Sequence, residues 1–522
     1  MNQQAEIAIN WVGLAPIIIV LGTGALQVLF EAFIPRGLRR TVQLITSLVA
    51  IILAFAAAVV VANAGIVAKP VLLAGTDVVG DLPGLVAQFI LLIIGALAVL
   101  VAADLTSAGD GAFASQPADR PGSSEEALSD RNHYQRTEYF PLMLFSLGGM
   151  MVFVQASSLL TMFVALEVMS LPLYILSASA RRQRLISQEA GIKYFLLGAF
   201  ASGFFLFGSA FLYGATGTMS LATLPSPELQ PFIAQHGLNA VGLWMVGVIM
   251  VMVGLLFKVA AVPFHAWTPD VYQGAPSPIT GFMAAGVKVA AFLALMRLVG
   301  AGLPGTFPYI RIFVWVIAAL TIVVGTVMGL RQTNIKRLLA YSSVAHAGFL
   351  LLALMDLNGE LTHAWPAVLF YLLTYGVATV GAFGVISLVR KKDASGAALG
   401  EAGDLANWAG LAKTNPLLAL AMTVFLLSFA GIPLTAGFIG KFWLFMGAFA
   451  QGGAVLVVIA VLASAATAVF YFRVIRQMYL AEPAEDTIVV SSEGFAGAAI
   501  VLATLMTVLL GLAPTLFFNL LA

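Results

Sequence analysis

Cysteine is absent from the 522 residues, and charge is scarce, at 9% against roughly 25% in a soluble domain. Without cysteine, disulfides, thiolate zinc sites, cysteine-held iron-sulfur clusters and cysteine nucleophiles are excluded, so any redox chemistry belongs to another chain. Neither sign of charge dominates. With 25 Lys and Arg against 24 Asp and Glu, there is no basic field for nucleic acid and no acidic block for a cationic partner. What is abundant is apolar: 61% of the residues are hydrophobic, which makes this an integral membrane protein with the lipid bilayer as its solvent. The opening MNQQAEIAIN carries Glu6 but no Lys or Arg. It lacks the positive start of a secretory signal, so the first apolar run is expected to stay in the mature protein.

A bilayer core of about 30 Å asks for roughly 20 apolar residues per helix. About fourteen such runs follow one another, starting near Trp11, Val42, Leu85, Tyr139, Leu159, Ala190, Val241, Pro278, Pro308, Lys336, Ala364, Asn415, Ala454 and Gly494. The expected fold is all-α, a polytopic membrane bundle. Its parts are three helices in 1–104, a polar connection at 105–138, five helices in 139–300, five more in 308–478 and a last helix in 494–522. The connection from 105 and a second one, from Arg390 to Thr414, are rich in Gly, Ser, Ala and charge, as surface loops are.

Short cytoplasmic loops collect Lys and Arg. Here Arg36, Arg39 and Arg40 follow the first span, Arg120, Arg131 and Arg136 the third, and Arg181, Arg182 and Arg184 the fifth. Arg331, Lys336 and Arg337 follow the ninth, Arg390, Lys391, Lys392 and Lys413 the eleventh, and Arg473 and Arg476 the thirteenth. The even side holds only Lys69, Arg297 and Arg311, so both termini are expected on the non-cytoplasmic side.

The basic residues left over are all lysines inside apolar spans: Lys193, Lys258, Lys288 and Lys441. Glu167, in LLTMFVALEVMSLPLYIL, is similarly stranded, whereas Glu31 and Asp104 lie nearer span ends. Each ionised group at a helix centre costs roughly 2.5 to 3.5 kcal/mol, so the five together cost on the order of 10 kcal/mol. Lys193 could snorkel to the nearby arginine cluster. For the whole set, one carboxylate leaves lysines without partners. Burial favours a neutral amine and a neighbouring carboxylate favours an ammonium, so a lysine that alternates between the two settings accepts and releases protons. A row of them is a relay.

Prolines support this reading. Pro263 follows Lys258 by five residues in GLLFKVAAVPFHAWTPDVYQGAPSP, and Gly431 with Pro433 precedes Lys441 in FLLSFAGIPLTAGFIGKFWLF. Broken helices are tolerated at membrane depth where they line a protein-walled or wet cavity. The breaks fall in the seventh and twelfth spans, which run in opposite directions, so spans four to eight and nine to thirteen are expected to be inverted repeats. His346, in RLLAYSSVAHAGFLL, reads either as a packed, hydrogen-bonded residue or as a relay member. His265, beside the Pro263 break, has the same two readings. His133, His236 and His363 fall in loops and are assigned no role. Gly22 and Gly24 lack the rest of a dinucleotide fingerprint, Gly325 and Gly329 form a helix-packing GxxxG, and Gly198, Gly203 and Gly208 are packing contacts as well. No metal-ligand spacing or nucleophile and base pairing is present.

The segments ALEVMSLPLYILSA, FKVAAVPFHAWTPDVYQGAPSPITGFMAAGVKVAAF, NIKRLLAYSSVAHAGFLL and SFAGIPLTAGFIGKFWLF resemble the antiporter-like membrane subunits of respiratory complex I, the proton-pumping NADH:quinone oxidoreductase. VYQGAP and a lysine in the twelfth span are more similar to the N type than to the sister types L and M. The resemblance covers the chain from the first span to the fourteenth. It implies Glu167 and Lys258 as an interacting pair, Lys288 as the connecting lysine, Lys441 as the terminal one, and Lys193 and His346 as further relay members. It also implies a bacterial inner membrane, partners among the other membrane-arm subunits such as M and K, and NADH, FMN, iron-sulfur clusters and quinone held by partner subunits. The connection 105–138 is longer than the resemblance suggests. The rival reading is a Na+/H+ antiporter component using the same charges, although buried lysines repel Na+; a purely structural subunit leaves the lysines unexplained.

Overall fold

The computed structural model describes residues 9–520 apart from 107–109, 117–118, 121, 132–136, 225–228, 303–306, 356–363, 395 and 397. His133 and His363 therefore lie outside the described residues, as does the side chain of His236. Among the described residues, twelve helices are long and apolar enough to cross a membrane. Three shorter apolar helices stand where the sequence places the fourth span and the two halves of the twelfth. Numbered by span, they are α1 (Trp11–Phe33), α2 (Arg36–Asn63), α3 (Leu82–Ala103), α4 (Tyr139–Phe153), α5 (Leu159–Ser177) and α6 (Arg184–Thr216). The seventh is split into α7a (Leu229–Lys258) and α7b (Thr268–Gly274). Then come α8 (Ser277–Gly300), α9 (Phe307–Leu330), α10 (Ile335–Leu351) and α11 (Ala364–Leu388). The twelfth is split into α12a (Pro416–Ala430) and α12b (Ala436–Ala450), before α13 (Ala454–Leu480) and α14 (Phe495–Leu512).

Helix starts follow from side chains able to take an orphan backbone N–H. Asn10 accepts from Gly13, Asp81 from Gly84, Ser158 from Thr161, and Asn334 from both Lys336 and Arg337. Packing is not uniform. The apolar windows of α8, α10 and α11 are entirely buried in protein, while those of α1, α13 and α14 leave most of their residues on the outside of the chain. The three buried helices are among the least hydropathic of the twelve, because their interior faces carry Lys288, His346 and a set of tyrosines and serines. A π turn, Met283–Val287, interrupts α8 immediately before Lys288.

Connections after odd-numbered spans meet one another, and so do those after even-numbered spans. On the odd face, β3 (Val389–Lys392) pairs with both β4 (Ala398–Glu401) and β5 (Thr487–Val489), joining the stretches after α11 and α13. The 105–131 stretch lies there too: Asp110 bridges Arg181 at 3.2 Å and Arg182 at 2.8 Å, and Arg184 donates to the carbonyls of Gln116 and Asp119. On the opposite face β1 (Val71–Ala74) and β2 (Val78–Gly80) form a hairpin. Beside it Ser158 donates to Asp77, and Arg297 grips Asp81 through two bonds of 2.6 and 2.7 Å. Arg297, placed in a loop by the sequence reading, is instead a buried clamp between α8 and the N-terminus of α3.

Candidate functional site

Breaking a helix frees backbone groups that must find partners elsewhere. In the first break, between Lys258 and Thr268, Ala260 takes a left-handed conformation at φ +63°. The Val262 N–H donates to Thr321 on α9, the Phe257 carbonyl accepts from Trp267, and the Val259 carbonyl lies 3.4 Å from the Lys288 ammonium. In the second break, Gly431 and Leu434 are left-handed at φ +77° and +74°. The freed carbonyls of Phe429 and Ala430 accept from Lys441 at 2.8 and 3.0 Å, and Ser464 of α13 takes a third proton at 2.8 Å. Two of the lysines stranded in the sequence thus answer carbonyls stranded by the breaks. An open pocket of about 360 Å³, lined by Gly431, Phe438, Phe445 and Ser464 among others, reaches Lys441.

Lys258, the last residue of α7a, has a different setting. Its ammonium donates to Ser170 at 2.8 Å and Tyr174 at 3.1 Å, both on α5, and lies over the rings of Tyr174, Tyr194 and Phe257 at 5.2 to 5.7 Å. The expected contact with Glu167 is not formed: among the described residues the Lys258 ammonium bonds to Ser170 and Tyr174, no ion pair joins it to Glu167, and Glu167 Oε1 is buried without a hydrogen-bond partner. Glu167, Ser170 and Tyr174 are spaced i, i+3, i+7, so they share one face of α5 with the serine one turn from the carboxylate. The serine that holds Lys258 thus stands one helical turn from Glu167.

Lys288 donates to the Ser343 carbonyl on α10 at 2.9 Å and lies 5.7 Å from the Tyr375 ring, which places it between the first break and α10. Three residues on, His346 has Tyr371 at 2.5 Å from Nδ1 and Tyr471 at 3.2 Å from Nε2. Lys441 follows, 5.0 Å from the Phe349 ring. These groups share one buried line across α8, α10, α11 and α12b.

Two residues from the sequence reading stand apart. Lys193 is 39% exposed and paired with Glu189 and Asp270, both at 2.6 Å, and Asp270 also holds Arg337 at 2.7 Å. It is not stranded in the membrane core, because α6 begins at Arg184 and carries Lys193 only two turns in, within reach of α7b. His265 is half-buried in the first break, its Nδ1 without a partner and its ring 6.5 Å from Tyr341, with no hydrogen bond to the lysines among the described residues. The sequence reading missed the hydroxyl residues that hold the lysines, Ser170, Tyr174 and Ser464, and those that hold His346, Tyr371 and Tyr471; for the first two the spacing behind Glu167 was a usable signal. It also missed Glu401, on the odd face. Burial opposes its charge, but Lys336 at 2.9 Å and the Ser277 N–H outweigh burial and hold its carboxyl below the usual range. Among the described residues no three His, Asp or Glu side chains are grouped as a metal site needs.

Residues 156–467, which contain all of these groups except Tyr471, match the family model described as NADH:quinone oxidoreductase/Mrp antiporter, TM. A relative from Beutenbergia cavernae named NADH-quinone oxidoreductase subunit N is 50% identical over 98% of this chain and 97% of its own length. The chain belongs to the NADH-quinone oxidoreductase subunit N family. Another subunit N, from Thermobifida fusca, is 46% identical over 96% of this chain and 90% of its own. A chain of respiratory complex I from Thermus thermophilus with bound aureothin superposes with a TM-score of 0.75 at 33% identity, covering 97% of this chain and 98% of that one. The family resemblance and the multi-pass helical fold expected from the sequence therefore stand, and subunit N relatives of near-full length favour the oxidoreductase over the antiporter alternative.

Proposed function

We propose that this chain is the N subunit of a proton-pumping NADH:quinone oxidoreductase and moves protons through the line Lys258, Lys288, His346 and Lys441, with Glu167 as the switch. The observation that carries the reading is that Lys288 and Lys441 bind carbonyls at the two helix breaks while Lys258 is held by a serine one helical turn from Glu167, whose Oε1 is buried without a hydrogen-bond partner. In the arrangement observed, Lys258 is held by neutral oxygens and aromatic faces. Approach of Glu167 stabilises its ammonium, and retreat frees the proton to move on. Charge changes in a neighbouring subunit, driven by quinone reduction there, set the position of Glu167. Moving one charge against about 100 mV requires about 2.3 kcal/mol. That is a modest demand on making and breaking one ion pair in a weakly screened interior.

The 139–300 and 308–478 segments act in this scheme as inverted repeats, each supplying half a channel around its broken helix. Lys193 with Asp270, and His265 beside the first break, stand at the edge of the first half, where protons enter or leave its line. The arginine-rich odd face is the cytoplasmic one, which puts both chain ends on the other side of a bacterial inner membrane. Subunits of the M and K types are its neighbours. NADH, FMN, iron-sulfur clusters and quinone belong to partner subunits, and this chain supplies no redox group. The test is Lys258→Ala in the assembled complex. Proton uptake by inverted vesicles per NADH oxidised is expected to fall by about tenfold or more, the scale of losing a positioned proton-transfer group. Wild-type oxidation and wild-type uptake together would sink the relay.

A further inference from the structure

Both nitrogens of His346 are engaged by tyrosines from two other helices. Nδ1 lies 2.5 Å from the Tyr371 hydroxyl of α11, and Nε2 lies 3.2 Å from the Tyr471 hydroxyl of α13. The Tyr471 hydroxyl also bonds to Ser342, one turn before His346 on α10. All four residues are buried, and together they form one unbroken chain: Ser342, Tyr471, His346, Tyr371. Its two ends lie one residue from contacts of Lys288, in the first half, and from Lys441, in the second. Ser342 precedes Ser343, whose carbonyl accepts from Lys288, and the Tyr371 ring packs on Gly440, which precedes Lys441.

We propose that Tyr371 and Tyr471 are proton-carrying members of the relay and pass a proton through His346 from the Lys288 side to the Lys441 side. A neutral imidazole donates at one nitrogen and accepts at the other, and serine and tyrosine hydroxyls do both. The chain therefore has two complete polarities. A proton arriving on Ser342 from the Lys288 ammonium displaces the serine proton to Tyr471; Tyr471 gives its own to Nε2, Nδ1 gives its own to Tyr371, and Tyr371 releases one toward the Lys441 amine. At each member one O–H or N–H bond breaks as another forms. No member is left charged, His346 changes tautomer, and the net result is an amine at Lys288 and an ammonium at Lys441. The hydroxyls and the tautomer must then turn back, so the chain carries one proton per cycle.

This inference rests on the Lys288 to Lys441 relay proposed above, and the experiment separates the two. Membranes carrying the assembled complex are prepared with Tyr371→Phe, Tyr471→Phe and the double substitution, each keeping the ring and losing only the hydroxyl. Oxidation of NADH by an artificial electron acceptor reports assembly, and NADH-driven proton uptake by inverted vesicles reports pumping. Each single variant is expected to slow uptake by about tenfold or more. Delays of steps in series add rather than multiply, so the double variant is expected to be slower than the slower single one by no more than about twofold. If a tyrosine variant fails to assemble, Ser342→Ala removes the end hydroxyl with little volume change and is expected to give the same loss. Wild-type uptake in the Phe variants while His346→Ala pumps poorly would reduce the tyrosines to packing. Losses that multiply in the double variant would also overturn the proposal, since they mark separate structural defects. Wild-type uptake in Lys288→Ala and Lys441→Ala would instead remove the relay itself.

Discussion

The two broken helices each present a buried lysine, but they hold it by different means. Lys258 ends the first half of its helix and is held by side chains of α5 that can rotate, with a carboxylate a turn away. Lys441 follows its break, and two of its three bonds go to backbone carbonyls that cannot leave. A side-chain setting can be switched by moving Glu167, whereas a backbone setting is fixed once the chain has folded. In the proposed relay, this division would have the first half receive the signal and the second half provide a constant binding site for the proton that arrives.

The largest difference between the halves is expected from Glu167→Gln. Removing the charge proposed as the switch leaves Lys258 on its two hydroxyls, so NADH-driven proton uptake is expected to fall by about tenfold, again the scale of a lost proton-transfer partner. Among the described residues no carboxylate pairs with Lys441 in the second half. Uptake within a factor of two of wild type would mean that Lys258 is not controlled by Glu167.

Backbone substitutions probe the fixed half. Gly431 is left-handed at φ +77°, and a Cβ there would come within 2.9 Å of Lys441 Cδ and 3.3 Å of its nitrogen. Gly431→Ala is therefore expected to destabilise by about 1 to 2 kcal/mol from conformation alone and to push the ammonium off its carbonyls. In the first break the sign reverses. Ala260 already occupies the left-handed region, so Ala260→Gly relieves strain and is expected to leave stability unchanged or raised by about 1 kcal/mol. Thermal dissociation of the detergent-solubilised complex, followed for both variants, checks the pair. Equal and opposite signs sharpen the comparison, and equal losses break it.

Single hydroxyl removals come next in size. Ser170→Ala takes one of two hydrogen bonds from Lys258 and opens the space between it and Glu167. Ser464→Ala takes one of three from Lys441 and leaves both carbonyls in place. The first is expected to slow proton uptake a few-fold more than the second, about 1 kcal/mol of hydrogen bonding being better replaced where two partners remain. The reverse ranking would place the adjustable site in the second half.

These contrasts mark how far the sequence could be read. Composition and run length were enough for a polytopic bundle, and Pro263, Gly431 and Pro433 located both breaks, because a missing N–H or a left-handed glycine acts locally. Lys258, Lys288 and Lys441 were legible because an ionised side chain is out of place in an apolar run. What stayed hidden depends on neighbours far along the chain. Lys193 reads as stranded until α7b brings Asp270 to it, across 77 residues. Tyr371 and Tyr471 read as ordinary buried aromatics until α11 and α13 close on His346. Gly198 reads as a helix contact, yet a Cβ there would lie 2.2 Å from the Tyr174 hydroxyl that binds Lys258. Arg297 reads as a loop charge because nothing local announces Asp81.

The smallest expected effect lies outside the membrane and tests whether the odd face is only a scaffold. Glu401 is held below its usual carboxylate range, with burial opposing its charge and Lys336 outweighing it. A carboxyl lowered on folding contributes its stabilisation in full above its unfolded value of about 4.3 and loses it as pH falls through the lower folded value. Partly open to water, the pair is worth about 1 kcal/mol or less. Glu401→Gln is therefore expected to leave proton uptake at neutral pH unchanged and to flatten the acid side of the stability curve of the solubilised complex, below about pH 4.3. A loss of uptake at pH 7 would show that the Lys336 and Glu401 pair, which ties α10 to the α11–α12a connection and to the end of α7b through the Ala275 carbonyl, takes part in moving the broken helix.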